Sequence, residues 1–170
     1  PGRFMRSFAI AFFFAVMALA GCGPTPTARF DPAEAAFINQ KGSTKLAVHA
    51  FYRSKKGLVV YAAGEHVYLV PVTPYTEQRF RQIYGRAKQA DVLFLLFSDS
   101  DPEYRKYVRS TKAESDGRCT FENVAPGEYF VTTSITYQPE DSFLPEGDMI
   151  YERVKVAAGD KEVKVIVSGK

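Results

Sequence analysis

The thiol of Cys22, which follows Leu19, Ala20 and Gly21, is the side chain whose setting most plainly invites chemistry in this sequence. Small residues before it let a peptidase approach the backbone closely, and the thiol is the only nucleophilic side chain at that point. An apolar run that ends in small residues has the form of a signal-peptide cleavage site. The remaining reactive side chains are scattered. His49 and His66 fall one on each of two predicted strands, outside any H-x-x-x-H or C-x-x-C arrangement, so a metal would need further ligands. Cys119 stands between Arg118 and Thr120, in phase with Phe121, and reads as a small core residue rather than a reactive thiol. Asp99, Asp101 and Glu103 lack the Gly and distal Glu of an EF-hand loop and most simply cap or solvate a loop. With no G-x-S-x-G elbow, Walker A loop or G-x-G-x-x-G turn, the expectation is a protein that is not an enzyme, with no catalytic residues, no cofactor and no metal.

The element that must position Cys22 lies before it. From Met5, Arg6 supplies a short positive region, and Phe8 to Ala20 is an uncharged apolar run, too short to span a bilayer comfortably. Followed by Leu19-Ala20-Gly21-Cys22, this resembles the lipobox of a bacterial lipoprotein signal peptide. The expected organisation is a signal peptide over 1–21, a tether and short helix over 22–42, and one β-domain over 43–170. The resemblance implies lipid attachment at Cys22 and a place in the bacterial cell envelope, held to the membrane by lipid. Gly23 in place of Asp resembles the enterobacterial sorting pattern that implies the outer membrane rather than the inner. The net charge of +3 falls close to neutral without Arg3 and Arg6. Basic residues such as Lys55, Arg79, Arg81 and Arg105 are interspersed with acids, so no nucleic-acid partner is expected.

Beyond the Pro-rich tether, Asp31 is placed as N-cap of a short helix with Pro32 at its first position. Leu46, Val48, Ala50 and Tyr52 then alternate with Lys45, His49 and Arg53, the period of a half-buried strand. Further strands are predicted around Leu58–Tyr61 and Val67–Val72, then a helix opening at Tyr75-Thr76-Glu77. There Thr76 is the expected cap, Tyr75 is expected to staple onto Phe80, and Gly85 ends or weakens the helix. The apolar run Val92 to Phe97 is buried, as strand or as helix. Arg105 to Ala113 is read as a strand that turns at Ser115-Asp116-Gly117 and returns as the neighbouring Arg118–Val124. Ala125-Pro126-Gly127-Glu128 suits a type II turn, and three more strands run to Val167. Seven to nine short strands with a helical insertion over Thr76–Ser110 predict an all-β antiparallel sandwich.

Two stretches narrow this. Asp116-Gly117-Arg118 with Phe121, Val124, Pro126-Gly127 and Tyr129 resembles the pattern of carboxypeptidase regulatory-like domains, and Gly64 to Tyr75 is similar to an earlier strand of the same group. The resemblance implies a transthyretin-like, or prealbumin-like, sandwich. It also implies a role as a binding or structural module, with an envelope protein or polysaccharide as partner. A small-ligand-binding or enzymatic transthyretin-like protein is the alternative. The ending Ile166-Val167-Ser168-Gly169-Lys170 differs from the Tyr-Arg-Gly-Ser tail of a hydroxyisourate hydrolase, and no spacing supports the two Tyr and two His of an intradiol dioxygenase. The aromatics Tyr75, Phe80, Tyr84, Tyr104 and Tyr107 bracket the insertion; packing on the sandwich outweighs a partner site for them. The insertion is nevertheless where partner contact is expected.

Overall fold

The alternation around Leu46 becomes β1 (Thr44–Arg53), whose Leu46, Val48, Ala50 and Tyr52 point into the core. In the computed structural model, which describes residues 28–53, 57–92, 100–138, 143 and 146–170, β1 lies at the centre of a four-stranded sheet. It pairs antiparallel with β2 (Val59–Tyr61) and β6 (Arg118–Val124), and parallel with β9 (Glu162–Val167). The second sheet has the order β4 (Gln89–Asp91), β8 (Glu146–Val156), β7 (Gly127–Tyr137), β3 (His66–Pro71) and β5 (Arg109–Lys112), antiparallel throughout.

The inner faces of the two sheets meet in one core. Leu46, Val48, Phe121 and Val167 from the first sheet pack against Val67, Leu69, Tyr129, Val131, Ile135 and Ile150 from the second. Each large apolar side chain removed from water there contributes about 1.5–3 kcal/mol. Tyr129 is fully buried, and its hydroxyl donates to the Ala125 carbonyl at 2.7 Å, so the phenol satisfies its polar end locally while its ring fills the core. The all-β expectation therefore holds, with a helix on one outer face.

One strand pairing departs from an antiparallel sandwich: β9 runs parallel to β1, from Lys45 opposite Glu162 to Ala50 opposite Val167. Parallel partners cannot be joined by a hairpin, and these two lie far apart in the chain, so no local turn signal announces the pair. The expected hairpin across Ser115-Asp116-Gly117 is also replaced. The turn is present, with Glu114 N–H donating to Arg118 O at 2.8 Å, but it carries the chain from one sheet to the other. Gly117 adopts φ 77°, its carbonyl accepts from Ala50 N, and a Cβ there would lie 2.2 Å from the Ala50 carbonyl oxygen. The corner is thus fitted against β1, which alternation within β5 and β6 does not reveal.

Several local readings are corrected by tertiary contacts. Tyr104–Tyr107 forms a 3-10 turn and only Arg109–Lys112 is strand, because Tyr104 and Tyr107 turn inward onto Phe30. The cap of α2 (Pro74–Tyr84) is Thr73, with Pro74 at the first helical position. Thr76 answers three residues on: its N–H donates to Thr73 Oγ1 at 3.3 Å, and its own Oγ1 accepts from Thr73 N at 2.8 Å. Tyr75 does not staple onto Phe80. Five positions apart on a helix they face different directions, and Tyr75 packs on Phe30 and Tyr104 instead. The positive φ before Tyr129 belongs to Asn123, at 56°, and not to Gly127. Gly127 is small for another reason: a Cβ would sit 2.5 Å from the Phe37 ring.

Other expectations hold. Asp31 caps α1 (Pro32–Ala35) by accepting from Ala33 N at 2.8 Å, and Gly85 ends α2 at φ 61°. Residues 93–97 of the apolar run lie outside the described residues, while Val92 packs against the outer cluster. The stretch read as an insertion is less separable than expected. Besides α2 it contains β4 and part of β5, the two edges of the five-stranded sheet.

Candidate functional site

Alternation on the five-stranded sheet sends one set of residues inward and leaves the other outward. One rung across it reads Ser110, Tyr68, Thr132, Tyr151 on β5, β3, β7 and β8. On a solvated face these positions would be expected to carry charge; here they carry hydroxyls and aromatic rings. Helix α2 lies over part of this face. Phe80 stacks on Phe130 with ring centres 4.1 Å apart and planes inclined by 16°, and Tyr84 meets Tyr151 at 4.4 Å. Val70, Met149 and the partly buried Ile83 complete the apolar contact. Arg153 pins the helix to the sheet, donating to Glu77 at 2.8 Å and to Glu128 at 2.9 Å.

The helix covers the face only in part. Between α2, the outward residues of β3, β5 and β7, and the 3-10 turn at Tyr104 there remains a cavity of about 550 Å³. This is within the size of pockets that hold small ligands. The sheet contributes Tyr68, Ser110, Thr132 and Ser134; the helix contributes Arg79, Phe80 and Tyr84; and the 3-10 segment contributes Tyr104, Arg105 and Val108.

Hydrogen bonding fixes several of these groups in place. Thr132 donates its hydroxyl proton to the Ile150 carbonyl at 2.9 Å, so Tyr84 must be the donor in its 2.8 Å contact with Thr132. The Thr132 proton is thereby committed within the sheet, and the Tyr84 proton to holding the helix end on it. Burial raises the Tyr84 phenol above its ordinary range, a push that the Thr132 hydrogen bond partly offsets. Burial likewise pushes Tyr104 up to about 12, against the lowering effect of Arg79, so both phenols stay neutral donors across the biological range. Arg79 is itself buried, 9% exposed, with its guanidinium 5.7 Å from the centre of the Tyr104 ring. Toward solvent stand Tyr68, 40% exposed, and the exposed Arg105 and Ser110.

The structure distributes the residues singled out in the sequence as follows. Cys22 and the segment before it lie outside the described residues. His49 and His66 are held apart on the opposite outer faces of the sandwich. His49 lies against Tyr61 and contacts the Asp116 carbonyl at 3.1 Å, and His66 stacks on Tyr68. Among the described residues no cluster of His, Cys, Asp or Glu is placed to hold a metal. Cys119 is buried in the core, where desolvation pushes its thiol up to about 11. Asp99 lies outside the described residues; Asp101 accepts from Glu103 N at 2.9 Å and Glu103 pairs with Lys106, as expected of a capped loop. Of the five aromatics, Phe80, Tyr84 and Tyr104 line the cavity, whereas Tyr75 and Tyr107 surround Phe30. The sequence reading missed Tyr68, Ser110, Thr132 and Ser134. Their signal was an outward strand phase carrying hydroxyls and a ring.

No protein-family model matches the chain, and no curated protein matches it. Among solved structures, the fold is shared with a candidate carbohydrate binding protein from Pseudomonas aeruginosa, at a TM-score of 0.67 and 21% identity, over 83% of this chain and 98% of that one. An (S)-allantoin synthase overlaps at a TM-score of 0.34 and 15% identity, over 76% of this chain and 42% of that one. The first likeness establishes a common β-fold, reached with few shared residues.

Proposed function

We propose that this chain is a saccharide-binding module of the bacterial envelope, tethered to a membrane by lipid on Cys22. The observation that carries the binding reading is the cavity over the outer face of the five-stranded sheet. It is walled by aromatic rings, bordered by serine and threonine hydroxyls, and open to solvent past Tyr68. A pyranose ring has one flat face of C–H groups, which suits an exposed aromatic ring. Its rim of hydroxyls suits short polar side chains and guanidinium donors. The solved structure of like fold, a candidate carbohydrate binding protein, supports the same direction.

The finer fold reading belongs with this proposal: the sandwich is a carboxypeptidase regulatory-like, transthyretin-like domain. Its support is that Phe121, Val124 and Tyr129 of the matching pattern are core residues, and that Gly117 and Gly127 stand where a side chain would collide. The anchor rests on Leu19 to Cys22 and the apolar run before them. A fatty-acid probe should label the wild-type chain in cells and not Cys22→Ala; labelling that persists in the variant rules the anchor out.

The test of binding is titration of the purified chain against an oligosaccharide panel by calorimetry. Tyr68→Ala should weaken any bound sugar by about tenfold, the loss expected of an exposed ring at the centre of a contact. An unchanged melting temperature would separate that loss from unfolding. If no member of the panel binds, the saccharide reading is wrong.

A further inference from the structure

We infer that the site takes a saccharide chain and not a single sugar, laid along β3 with one sugar ring on Tyr68 and the next on His66. This rests on the saccharide reading above and deepens it. Tyr68 and His66 are separated by one residue, so alternation sends both to the outward face, roughly 7 Å apart along the strand. Their rings stand 6.2 Å apart, centre to centre, with planes inclined by 29°. Together they form a strip of two flat faces, with Tyr68 40% exposed and His66 exposed beyond it.

The neighbouring strands repeat the arrangement. Ser110 on β5 and Thr132 on β7 flank Tyr68; two residues along, Lys112 lies opposite His66, and Ser134 continues the outward phase of β7 past Thr132. Each rung thus sets a ring between polar side chains, a flat wall for the C–H face of one sugar with hydroxyls or an ammonium at its edge. The cavity lining already runs from Thr132 to Ser134, so the site extends along the strands past the Tyr68 rung. Cover decreases along the same line. Val70 is buried in the layer under α2, Tyr68 stands at the opening, and His66 lies further out in solvent. A sugar held at Tyr68 is therefore continued outward along β3, onto the imidazole. Pairing with β5 on one side and β7 on the other fixes the backbone of β3, and Thr133 Oγ1 donates to the His66 carbonyl at 2.9 Å. Both rings are thus presented from a strand that is ordered before a ligand arrives.

The experiment is a chain-length series, using homo-oligomers of glucose, mannose, galactose and N-acetylglucosamine as single sugars, dimers and longer chains, titrated into the full chain by calorimetry. For the sugar that binds, affinity should rise about tenfold from the single unit to the dimer, the gain expected of one further ring contact. His66→Ala should remove that rise while leaving affinity for the single sugar and the melting temperature nearly unchanged. His66→Phe, which keeps a flat ring, should retain the rise. Tyr68→Ala should weaken binding at every length, because it removes the ring that all of them use. A dimer that binds no tighter than the single sugar, a rise that survives in His66→Ala, or a rise lost in His66→Phe overturns the two-ring inference and leaves the saccharide reading standing. Absence of binding at every length overturns both.

Discussion

The two outer faces of this sandwich have been treated differently. On the five-stranded sheet, α2 lies across the strands and buries Phe80, Phe130 and Met149 in a second apolar layer. On the four-stranded sheet the outward residues stay open: His49, Phe51 and Tyr61 touch one another, and Tyr61 and Ile166 are 45% and 59% exposed. The same residue classes thus serve two ends. Aromatics under a helix make a concave, partly dry wall in which polar groups gain strength. Aromatics on a bare sheet make a flat surface that water reaches from above. A sheet alone offers no cavity; the helix and the 3-10 turn supply the other walls.

Removing a ring should expose this difference. Phe80→Ala deletes the stack on Phe130 at 4.1 Å and should cost about 3–5 kcal/mol in denaturant unfolding. Phe51→Ala on the open face should cost less than about 1.5 kcal/mol, because water already reaches its surroundings. Equal costs would mean that the helix adds nothing to the sheet. As a core reference, Phe121→Ala should match the Phe80 value, since its ring is 3% exposed between the sheets.

The helix start offers a smaller lever. Thr73→Ala removes one half of the reciprocal pair with Thr76 and should lower stability by about 1 kcal/mol, read as a shift in the denaturation midpoint. Its effect on ligand affinity should be larger than that of Ile166→Ser on the open face, if the position of α2 defines the cavity.

Alkali should act on the covered face through its phenols. Tyr104 titrates near 12 when folded and near 10 when unfolded, and Tyr84 is raised as well. A raised folded value means that the stabilisation is complete below about pH 10 and is lost as pH climbs toward 12. Absorbance of phenolate near 295 nm should therefore rise together with loss of the folded circular dichroism. In Tyr104→Phe the decline over that interval should be shallower.

The smallest effect is expected on the open face. Ile166→Thr should change stability by less than about 0.5 kcal/mol and leave saccharide binding unaltered. A loss of binding there would move the site to the other sheet.

What the sequence disclosed was mostly local. Alternation announced β1, β7 and β9, and the Asp31-Pro32 and Gly85 signals set helix ends, because each depends on residues within a turn or a strand. What it withheld was long-range. The sheet to which β6 belongs, the parallel partner of β1 and the inward turn of Tyr104 onto Phe30 are all settled by residues far away in the chain. The cavity was legible only in halves. Phe80, Tyr84 and Tyr104 stood out as aromatics near the helix, but Tyr68, Thr132 and Ser134 on the facing sheet looked like ordinary outward strand positions. Arg79 and Arg105 were two scattered charges until the fold brought them to one opening.

The parallel pairing of β9 with β1 also fixes an order of events in time. β1 is the first strand among the described residues to emerge during synthesis and β9 the last, yet they are hydrogen-bonded neighbours. A nascent chain still awaiting its final strand holds β1 with one edge unsatisfied, and the four-stranded sheet closes only after the end of the domain is released. Until then that edge is a place where another chain could add a strand. Completion of this fold is accordingly a late step, and a chaperone that shields an open β-edge would be most useful in the interval before β9 arrives.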